Sequence, residues 1–481
     1  MLRRAEAVVR RADGMLEDAP VRRLLPLLLP LAVVCACSSQ DTGTLRLVTG
    51  EETDTFTQSP QPTKLTVYAV DGSGNQSTLA TASLPTSNVD LGSQVETGVA
   101  TVEVMGTDAS GRPLVYGQSL ALEYGALANG SLPIFVQRTG QFARLPSPAG
   151  DTRSAPTLAI LSGEYLFVGA GSAASSATTT QIYDFASLTP LSAPPPLPRA
   201  PLSMPVVGTV GLVIDDAGAQ YFDFSQDAWT DPVTPPSGFT FADVAGGQVV
   251  YVYDTASQSL TDVYVVGATR ISGGATQAVL HINPSDTSNT TYLTGNLSWL
   301  KLTQPRLGAG AAWVAGRGLV VTGGSATAAG VEVFAPGSTT PTAVTEFPPD
   351  ASSGAGVSAI PNDSSSVLVA GGVTPTGQSA GVRQLHLDSL TSSSWGALPL
   401  ALDAASAFAL QNGTQVVVVG SDVTSPSRTT HVYLVDSAKA AEVPTKVPHA
   451  DARAIQSPVG PPGAILLFGG SGALESFTPA L

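Results

Sequence analysis

A short apolar strand that ends at a glycine recurs along this chain at a nearly fixed spacing. In its clearest copy, residues 316–325, a run of Leu, Val and Thr stops at Gly323 and Gly324. Glycine at such a point lets the backbone bend and lets a neighbouring segment approach closely. The glycines that end the six clear copies are Gly169, Gly267, Gly323, Gly371, Gly420 and Gly469.

The spacing of these glycines predicts the architecture. Successive steps are 98, 56, 48, 49 and 49 residues, and the first step equals two periods of 49. A copy that has lost its glycine pair is therefore expected near position 216, where an apolar run at 211–214 is followed by Asp215 and Asp216. Seven units of about 50 residues are typical of a propeller or a solenoid.

Other features follow each glycine at a steady offset. A strand ends in an aromatic or aliphatic residue and then often Asp, a Trp follows in several units, and a Pro-rich turn closes the unit. These aspartates are Asp184, Asp223, Asp388 and Asp436, and the tryptophans are Trp229, Trp299 and Trp395. Residues 140–481 thus resemble the kelch repeat of galactose-oxidase-like β-propellers. The second unit lacks the Gly pair, the fourth and sixth lack the Trp, and the third is long.

The two ends of the repeat region complement each other. Residues 141–146 are typical of an outer strand without the rest of its blade, and the last unit, 454–481, stops without an outer strand. Together they would complete one blade and remove an exposed sheet edge. We therefore predict a kelch-like propeller over 139–481, with seven blades. Six or eight blades stay open, because the second unit is degenerate and the third carries extra residues.

Residues 43–138 predict a separate all-β domain. Segments such as 64–70 alternate apolar and polar residues, as half-buried strands do. Residues 99–105 and 112–119 predict a hairpin around Asp108 and Gly111. The fold class is thus all-β, with an immunoglobulin-like β-sandwich followed by the propeller. The sandwich is expected to space or dock the propeller, with a ligand role as the alternative.

The N-terminal residues resemble a bacterial lipoprotein signal. An apolar run at 24–34 is too short to span a bilayer, and Ala36 precedes Cys37. The resemblance implies a signal peptide at 1–36, a tether at 37–42, and a membrane anchor in which Cys37 carries a diacylglycerol and an acylated amine. Ser38 suggests the outer membrane by the same analogy, while the membrane face stays open. Cys35 fits less well, and a plain secretory signal is the alternative.

The charge balance excludes one class of partner. The formal net charge is −15 and no run of Lys and Arg follows the signal. Phosphate backbones are bound by clustered basic side chains, so we predict no nucleic-acid partner. Acidity of this kind serves solubility. Since Cys35 and Cys37 are the two cysteines of the chain, the mature protein is expected to have no disulfide.

Catalytic patterns are weak in this sequence. The chain has four histidines, His281, His386, His431 and His449. The first three fall in predicted third strands, while His449 stands in a closing turn where other units carry Arg199 and Arg306, so all four are expected to be structural. A galactose-oxidase-like copper site would also need a thioether-forming cysteine. We predict no catalytic, cofactor-binding or metal-binding residue, and Cys37 as the lipidation site.

Other conspicuous residues have structural interpretations. The adjacent Asp215 and Asp216 would point to opposite faces of a strand, so they should not act as an acid–base pair. The aspartates that follow the third strands should cap turns. The three tryptophans should pack between blades, and Arg199 and Arg306 should donate to carbonyls of neighbouring loops.

The sequence favours a binding or scaffold role without catalysis. The expected protein is a lipid-anchored component of the bacterial cell envelope whose propeller loops bind an unknown protein or glycan. The alternative is a polysaccharide-active lyase or hydrolase that uses the propeller channel, which would require converging acids, His or Tyr at the channel mouth. A degenerate propeller retained as a surface-layer component is the third hypothesis.

Overall fold

The computed structural model is all-β, and in the residues that it describes the one helical element is a 3-10 turn at Phe241–Val244. The structure describes residues 43–92, 98–123, 130–146, 152–169, 171, 179–192, 196–197, 199–254, 257–268, 274–374, 377–422 and 424–481. Within these ranges no helix has the length and apolar character needed to cross a membrane.

The N-terminal domain is one sheet of eight strands. The strands are β1 Thr44–Val48, β2 Lys64–Asp71, β3 Gln76–Ser83, β4 Asn88–Asp90, β5 Val99–Thr107, β6 Pro113–Gln118, β7 Leu122–Glu123 and β8 Ser131–Arg138. Their order across the sheet is β3-β2-β5-β6-β8-β1-β4, and β7 pairs with β5. Because β3 and β4, the two ends of this order, lie next to each other, the sheet is a nearly closed barrel around its own apolar core.

The barrel differs in form from the expected sandwich of two separate sheets. Strand β8 pairs antiparallel with β6 on one edge and parallel with β1 on the other, so both halves belong to one sheet. Register shifts in β2 at Val67 and in β5 at Gly106 add the local twist that helps a sheet to curl. The β5–β6 hairpin forms as predicted, and the Asp108 carboxylate accepts hydrogen bonds in its turn.

The propeller consists of seven four-stranded blades. Blade 1 is formed by β10 Thr157–Leu161, β11 Tyr165–Gly169, β12 Gln181–Asp184 and β13 Thr189–Pro190. Blade 2 is formed by β14 Val206–Val207, β15 Val210–Asp215, β16 Gly218–Asp223 and β17 Ala228–Pro232. Blade 3 is formed by β18 Gln248–Tyr253, β19 Leu260–Val266, β20 Thr276–Asn283 and β21 Asn296–Arg306. Each blade runs from an innermost first strand to an outermost fourth strand, in simple antiparallel order.

Blades 4 to 6 repeat this order. Blade 4 is formed by β22 Gly310–Val314, β23 Gly318–Thr322, β24 Val331–Phe334 and β25 Thr342–Val344. Blade 5 is formed by β26 Gly356–Ala359, β27 Ser366–Ala370, β30 Gly381–His386 and β31 Thr391–Ala397. Blade 6 is formed by β32 Leu402–Ala409, β33 Gln415–Asp422, β34 Thr430–Asp436 and β35 Ala440–Glu442. Blade 5 adds a small two-stranded ladder, β28 Val373–Thr374 with β29 Gly377–Gln378, between its second and third strands.

Blade 7 joins the two ends of the propeller sequence. Its first three strands are β36 Arg453–Gln456, β37 Ile465–Phe468 and β38 Leu474–Thr478, and its fourth is β9 Gln141–Arg144. In the β9–β38 ladder Phe142 pairs with Phe477, and their rings lie 5.4 Å apart. The predicted seven blades and the predicted closure of the ring by both chain ends are confirmed.

Two faces of the propeller follow from this topology. The connection face carries the loops between second and third strands and the segments that link one blade to the next. The hairpin face carries the turns between first and second and between third and fourth strands. The barrel packs on the hairpin face of blades 7 and 1, where Val48, Leu120 and Phe135 join an apolar cluster with Leu145 and Leu188.

Polar contacts fix the barrel in this position. The Gln118 Oε1 atom accepts a hydrogen bond from the Gly460 N–H (3.1 Å), in the first turn of blade 7. The β1–β2 loop reaches the outer edge of the same blade, where Glu52 accepts from Arg144 Nε (2.9 Å) and lies 3.9 Å from Lys446 Nζ. Through Lys446, which lies in the segment that links blade 6 to blade 7, the barrel also reaches the edge of the connection face.

Candidate binding face of the propeller

The glycine pairs bring neighbouring blades together on the connection face. Gly324 has φ +75° and its N–H donates to Ser352 O of the next blade-linking segment (2.7 Å). Gly470 has φ +68° and donates to Arg153 O (2.7 Å), and a Cβ atom there would lie 2.1 Å from the Ala450 nitrogen. The predicted role of the glycines in close backbone approach is confirmed.

A second left-handed position recurs at the start of the innermost strand in six of the seven blades, all except blade 2. The residues are Ala155, Gly246, Gly308, Gly354, Ala404 and Asp451. Backbone hydrogen bonds join some of them across blades: Gly354 N–H donates to Gly308 O (2.9 Å), and Ala155 N–H donates to Asp451 O (2.7 Å). These starts form part of a bonded ring around the propeller axis.

The innermost strands also contact each other directly. The Gln248 side chain of blade 3 accepts from Ala311 N–H in blade 4 (3.0 Å) and donates to Val357 O in blade 5 (3.5 Å). A Cβ atom on Gly310 would lie 2.3 Å from a Val357 methyl group. One amide thus ties three blades together beside the axis.

A buried ion pair links blades 3 and 4. Arg306, at the end of β21, donates through Nε to Glu332 Oε1 (2.9 Å) and through Nη1 to Gly323 O (2.8 Å). The other oxygen of Glu332 accepts from the N–H and the hydroxyl of Thr303 (2.7 and 2.8 Å). Both charged side chains are 0% exposed, and the bonds satisfy both, as burial of a charge requires.

His449 occupies the same position between blades 6 and 7. Its Nδ1 donates to Gly469 O (2.7 Å), and its Nε2 lies 3.2 Å from Glu475 Oε1 on β38. The Glu475 carboxylate also accepts from the N–H groups of Lys446 and Val447. His449 therefore stands where another blade carries Arg306, as predicted, and both groups contact the carbonyl of a strand-ending glycine.

Arg199 performs a related role by a different contact. Its Nη1 donates to Asp215 Oδ1 (2.8 Å), in the blade that has lost its glycine pair. Asp215 also accepts from two N–H groups of its own turn, while Asp216 is exposed. The prediction of carbonyl acceptors is thus right for Arg306, whereas a carboxylate accepts from Arg199. The exposed Asp216 has no part in these contacts of Asp215.

Charged side chains also meet near the axis between blades 6 and 7. Arg428 Nη2 lies 3.1 Å from Asp403 Oδ2 and 3.3 Å from Asp451 Oδ1, and Arg453 donates to Asp451 (2.9 Å). Burial raises the pKa of Asp451, but the bonds from Arg453, Ser421 and Arg428 outweigh burial and hold that pKa below its usual value. Asp451 is therefore an ionised acceptor, which does not suit a general acid.

The sequence analysis missed Glu332, Glu475 and the acids of this charged group. A Glu in an alternating strand is normally taken as a solvent-facing residue, and neither glutamate belongs to a known motif. One signal was available: each glutamate follows its basic partner, Arg306 or His449, by 26 residues.

The other three histidines lie in third strands, as predicted, and each is bonded within its own blade. His281 lies 2.7 Å from Asp262 and stacks on Tyr264. His386 contacts Ser393, and His431 contacts Glu442. The hydrogen bonds of the three histidines do not connect them, so the structural interpretation is supported.

The tryptophans and turn aspartates are placed largely as expected. Trp229, Trp299 and Trp395 each pack in an apolar cluster shared by two blades. Asp184, Asp223 and Asp436 accept hydrogen bonds from their own turns. Asp388 instead forms an ion pair with Arg317 of the preceding blade.

Cys37, the predicted lipidation site, lies outside the described residues, as does the rest of the predicted signal and tether. In the described ranges, no group of three or more His, Cys, Asp or Glu side chains has the arrangement of a metal site.

Comparisons with known proteins give no family for this chain. No protein-family model matches it, and no curated protein was found to be similar. The propeller itself is clear, while the resemblance to kelch repeats has no support from a relative.

Proposed function

We propose that this protein is a lipid-anchored component of the bacterial cell envelope, and that its propeller binds a protein or glycan partner without catalysis. The anchor is the modified Cys37 at the start of the mature chain, and the outer membrane is its site. A propeller is in general a binding or scaffold fold. The connection face is the binding surface in this proposal.

One observation carries the choice of face: the barrel packs on the hairpin face. In the sequence, Cys37 precedes the first strand of the barrel by seven residues. The contacts described for the barrel involve blades 7 and 1 and the segment that links blade 6 to blade 7, so the connection face of blades 2 to 5 is free of them and open to a partner in this proposal. Two buried pairs, Arg306–Glu332 and His449–Glu475, join adjacent blades and give that surface a fixed shape.

The alternative, a polysaccharide lyase or hydrolase, would place acid–base chemistry at the channel mouth. The charged group of Arg428, Asp403 and Asp451 is the one candidate among the residues discussed. Its carboxylates are bound by arginines, and the pKa of Asp451 is lowered. A general acid needs the opposite shift. We therefore rank binding above catalysis.

Arginine substitutions on opposite faces of the same blades test the binding surface. Thr327→Arg and Ser427→Arg place bulk on exposed loops of the connection face in blades 4 and 6. Thr339→Arg and Ser437→Arg are matched controls on the hairpin face. A glycan array and a pulldown from envelope extract should show a partner that the first pair loses and the controls retain. Loss in the control pair alone would refute this placement, and turnover of a polysaccharide would favour the enzyme.

The anchor requires a separate experiment. Cys37→Ala should move the protein from the membrane fraction to the soluble fraction and remove the lipid from its N-terminal peptide, as measured by mass spectrometry. Cys35→Ala is the control and should leave the lipid in place. Soluble wild-type protein, or lipid retained in Cys37→Ala, would contradict the anchor.

A further inference from the structure

A cavity of about 340 Å³ lies where the barrel meets the propeller. The barrel contributes one wall, and the hairpin face of blades 7 and 1 contributes the other. Its volume falls within the range of about 300–1,000 Å³ that is usual for small-molecule sites, and such sites often lie between domains. The site is separate from the connection face.

The walls of the cavity are mainly apolar. Leu132 and Phe135 face it from β8, and Leu188 and Leu466 face it from the propeller. Phe135, Leu188 and Leu466 are buried members of the cluster that joins the two domains, so the walls are held by packing. A preformed apolar space of this kind favours an apolar ligand body.

Glu164 supplies a carboxyl group at this apolar space. It lies in the turn between β10 and β11, and it is one of the residues that line the cavity. Burial raises its pKa, a hydrogen bond from Tyr165 lowers it, and the negative charge of Asp184 raises it. Within the described part of the chain no Lys, Arg or His forms an ion pair with Glu164.

We propose that this cavity binds a small amphipathic cation, with its apolar body between the barrel and the propeller and its positive group at Glu164. A half-buried carboxylate without a cationic partner gains most from a ligand that supplies one. The same carboxylate, with Asp184 nearby, disfavours an anionic amphiphile of equal length.

The binding test compares two probes that share a chain and differ in charge. Octyltrimethylammonium and octanoate are titrated, each below its micellar concentration, into the full-length protein and followed by calorimetry. The cation should bind at least about ten-fold more tightly than the anion, which corresponds to about 1.4 kcal/mol. Glu164→Gln should abolish this preference.

Two tryptophan variants locate the binding. Ala186 lines the cavity and is exposed in the turn after β12, so Ala186→Trp should fill the space from its rim and abolish binding of the cation. Ala438 occupies the same position in the turn after β34, where its N–H likewise donates to the preceding aspartate. Ala438→Trp should leave binding unchanged.

Clear outcomes would overturn the inference. The proposal fails if neither probe binds, if octanoate binds as tightly as the cation, or if Ala186→Trp binds like the wild type. Circular dichroism and the urea midpoint show whether each variant is folded. For any variant that is not, a crystal structure of the wild type with octyltrimethylammonium decides, since an empty cavity would refute the site.

Discussion

Replacing Glu332 with glutamine should weaken the junction between blades 3 and 4 far more than a surface substitution does. Glutamine keeps the size of the side chain but removes its charge. Arg306 would then keep its positive charge at a site where both side chains are 0% exposed. The single oxygen of the new amide could still accept from either Thr303 or Arg306. The NH2 group of the amide would then face the other of these two residues, which is also a donor.

The magnitude follows from the burial of the pair. Removing one partner of a buried ion pair costs about 3–5 kcal/mol, because the other charge is left uncompensated. Unfolding entropy is about 2.1 cal/mol/K per residue, so the folded unit Asp41–Leu481 has roughly 0.9 kcal/mol/K. Glu332→Gln should therefore lower Tm by about 3–6 °C.

Urea unfolding and calorimetry measure this effect. Glu442→Gln is the matched control, because Glu442 also pairs with a basic side chain, His431 (2.8 Å), but its own side chain is 54% exposed. An exposed pair contributes about 0–1 kcal/mol. A cycle that adds Arg306→Met and the double variant isolates the pair, and the double variant should lose about 1–3 kcal/mol less than the two single losses predict.

The reasoning would be refuted by either of two results. One is a Glu332→Gln variant whose stability lies within about 0.5 kcal/mol of the wild type, the scatter typical of neutral surface changes. The other is a double variant whose loss is strictly additive, which would show that the two side chains do not depend on each other.

Further predictions concern the blade junctions, the ring closure and pH. Gly470→Ala should cost about 1–3 kcal/mol more than Gly337→Ala, because both glycines have positive φ but only Gly470 has a backbone nitrogen within 2.1 Å of the new Cβ; equal urea midpoints would contradict this. Phe142→Ala should cost about 3–5 kcal/mol, as its side chain is 1% exposed in the closing strand; a loss below about 1 kcal/mol would show that the ring does not rely on it. The pKa of Asp451 is lowered in the folded state, so its stabilising effect is present above its ordinary value of 3.8 and is lost as the pH falls through the lowered value. Asp451→Asn should therefore be less stable than wild type at pH 7 and lose less stability between pH 5 and about 3, and urea midpoints that fall in parallel would contradict this.

Much of the propeller could be predicted because its signals are local and repeated. Each strand-ending glycine reflects one backbone requirement, the left-handed conformation at a close approach, and the period of these glycines gives the blade count. The missing outer strand at one end and the surplus strand at 141–146 likewise predict the closure. The sequence also predicts that His449 takes the place that Arg306 has in another blade, because both residues lie in the turn that closes a unit.

The barrel and the buried pairs between blades were harder to predict, because both depend on residues that are far apart in the sequence. The parallel pairing of Leu45 with Leu132 that unites the N-terminal sheet leaves no pattern in either strand alone. Glu332 and Glu475 look like exposed residues of alternating strands, since nothing local shows that a basic group arrives from the preceding blade. The interdomain cavity around Glu164 arises from the docking of two domains, which no single segment encodes.

The position of β9, the strand that closes the ring, imposes an order on the synthesis and folding of the chain. β9 is synthesised before the six complete blades, and its ladder partner Leu474–Thr478 is synthesised after them. Until β38 is synthesised, β9 lacks its ladder partner and Gln137 of the barrel lacks Thr478, which it contacts in the folded protein. A chain truncated before Leu474 would therefore have an open ring with an unpaired strand edge, which favours aggregation.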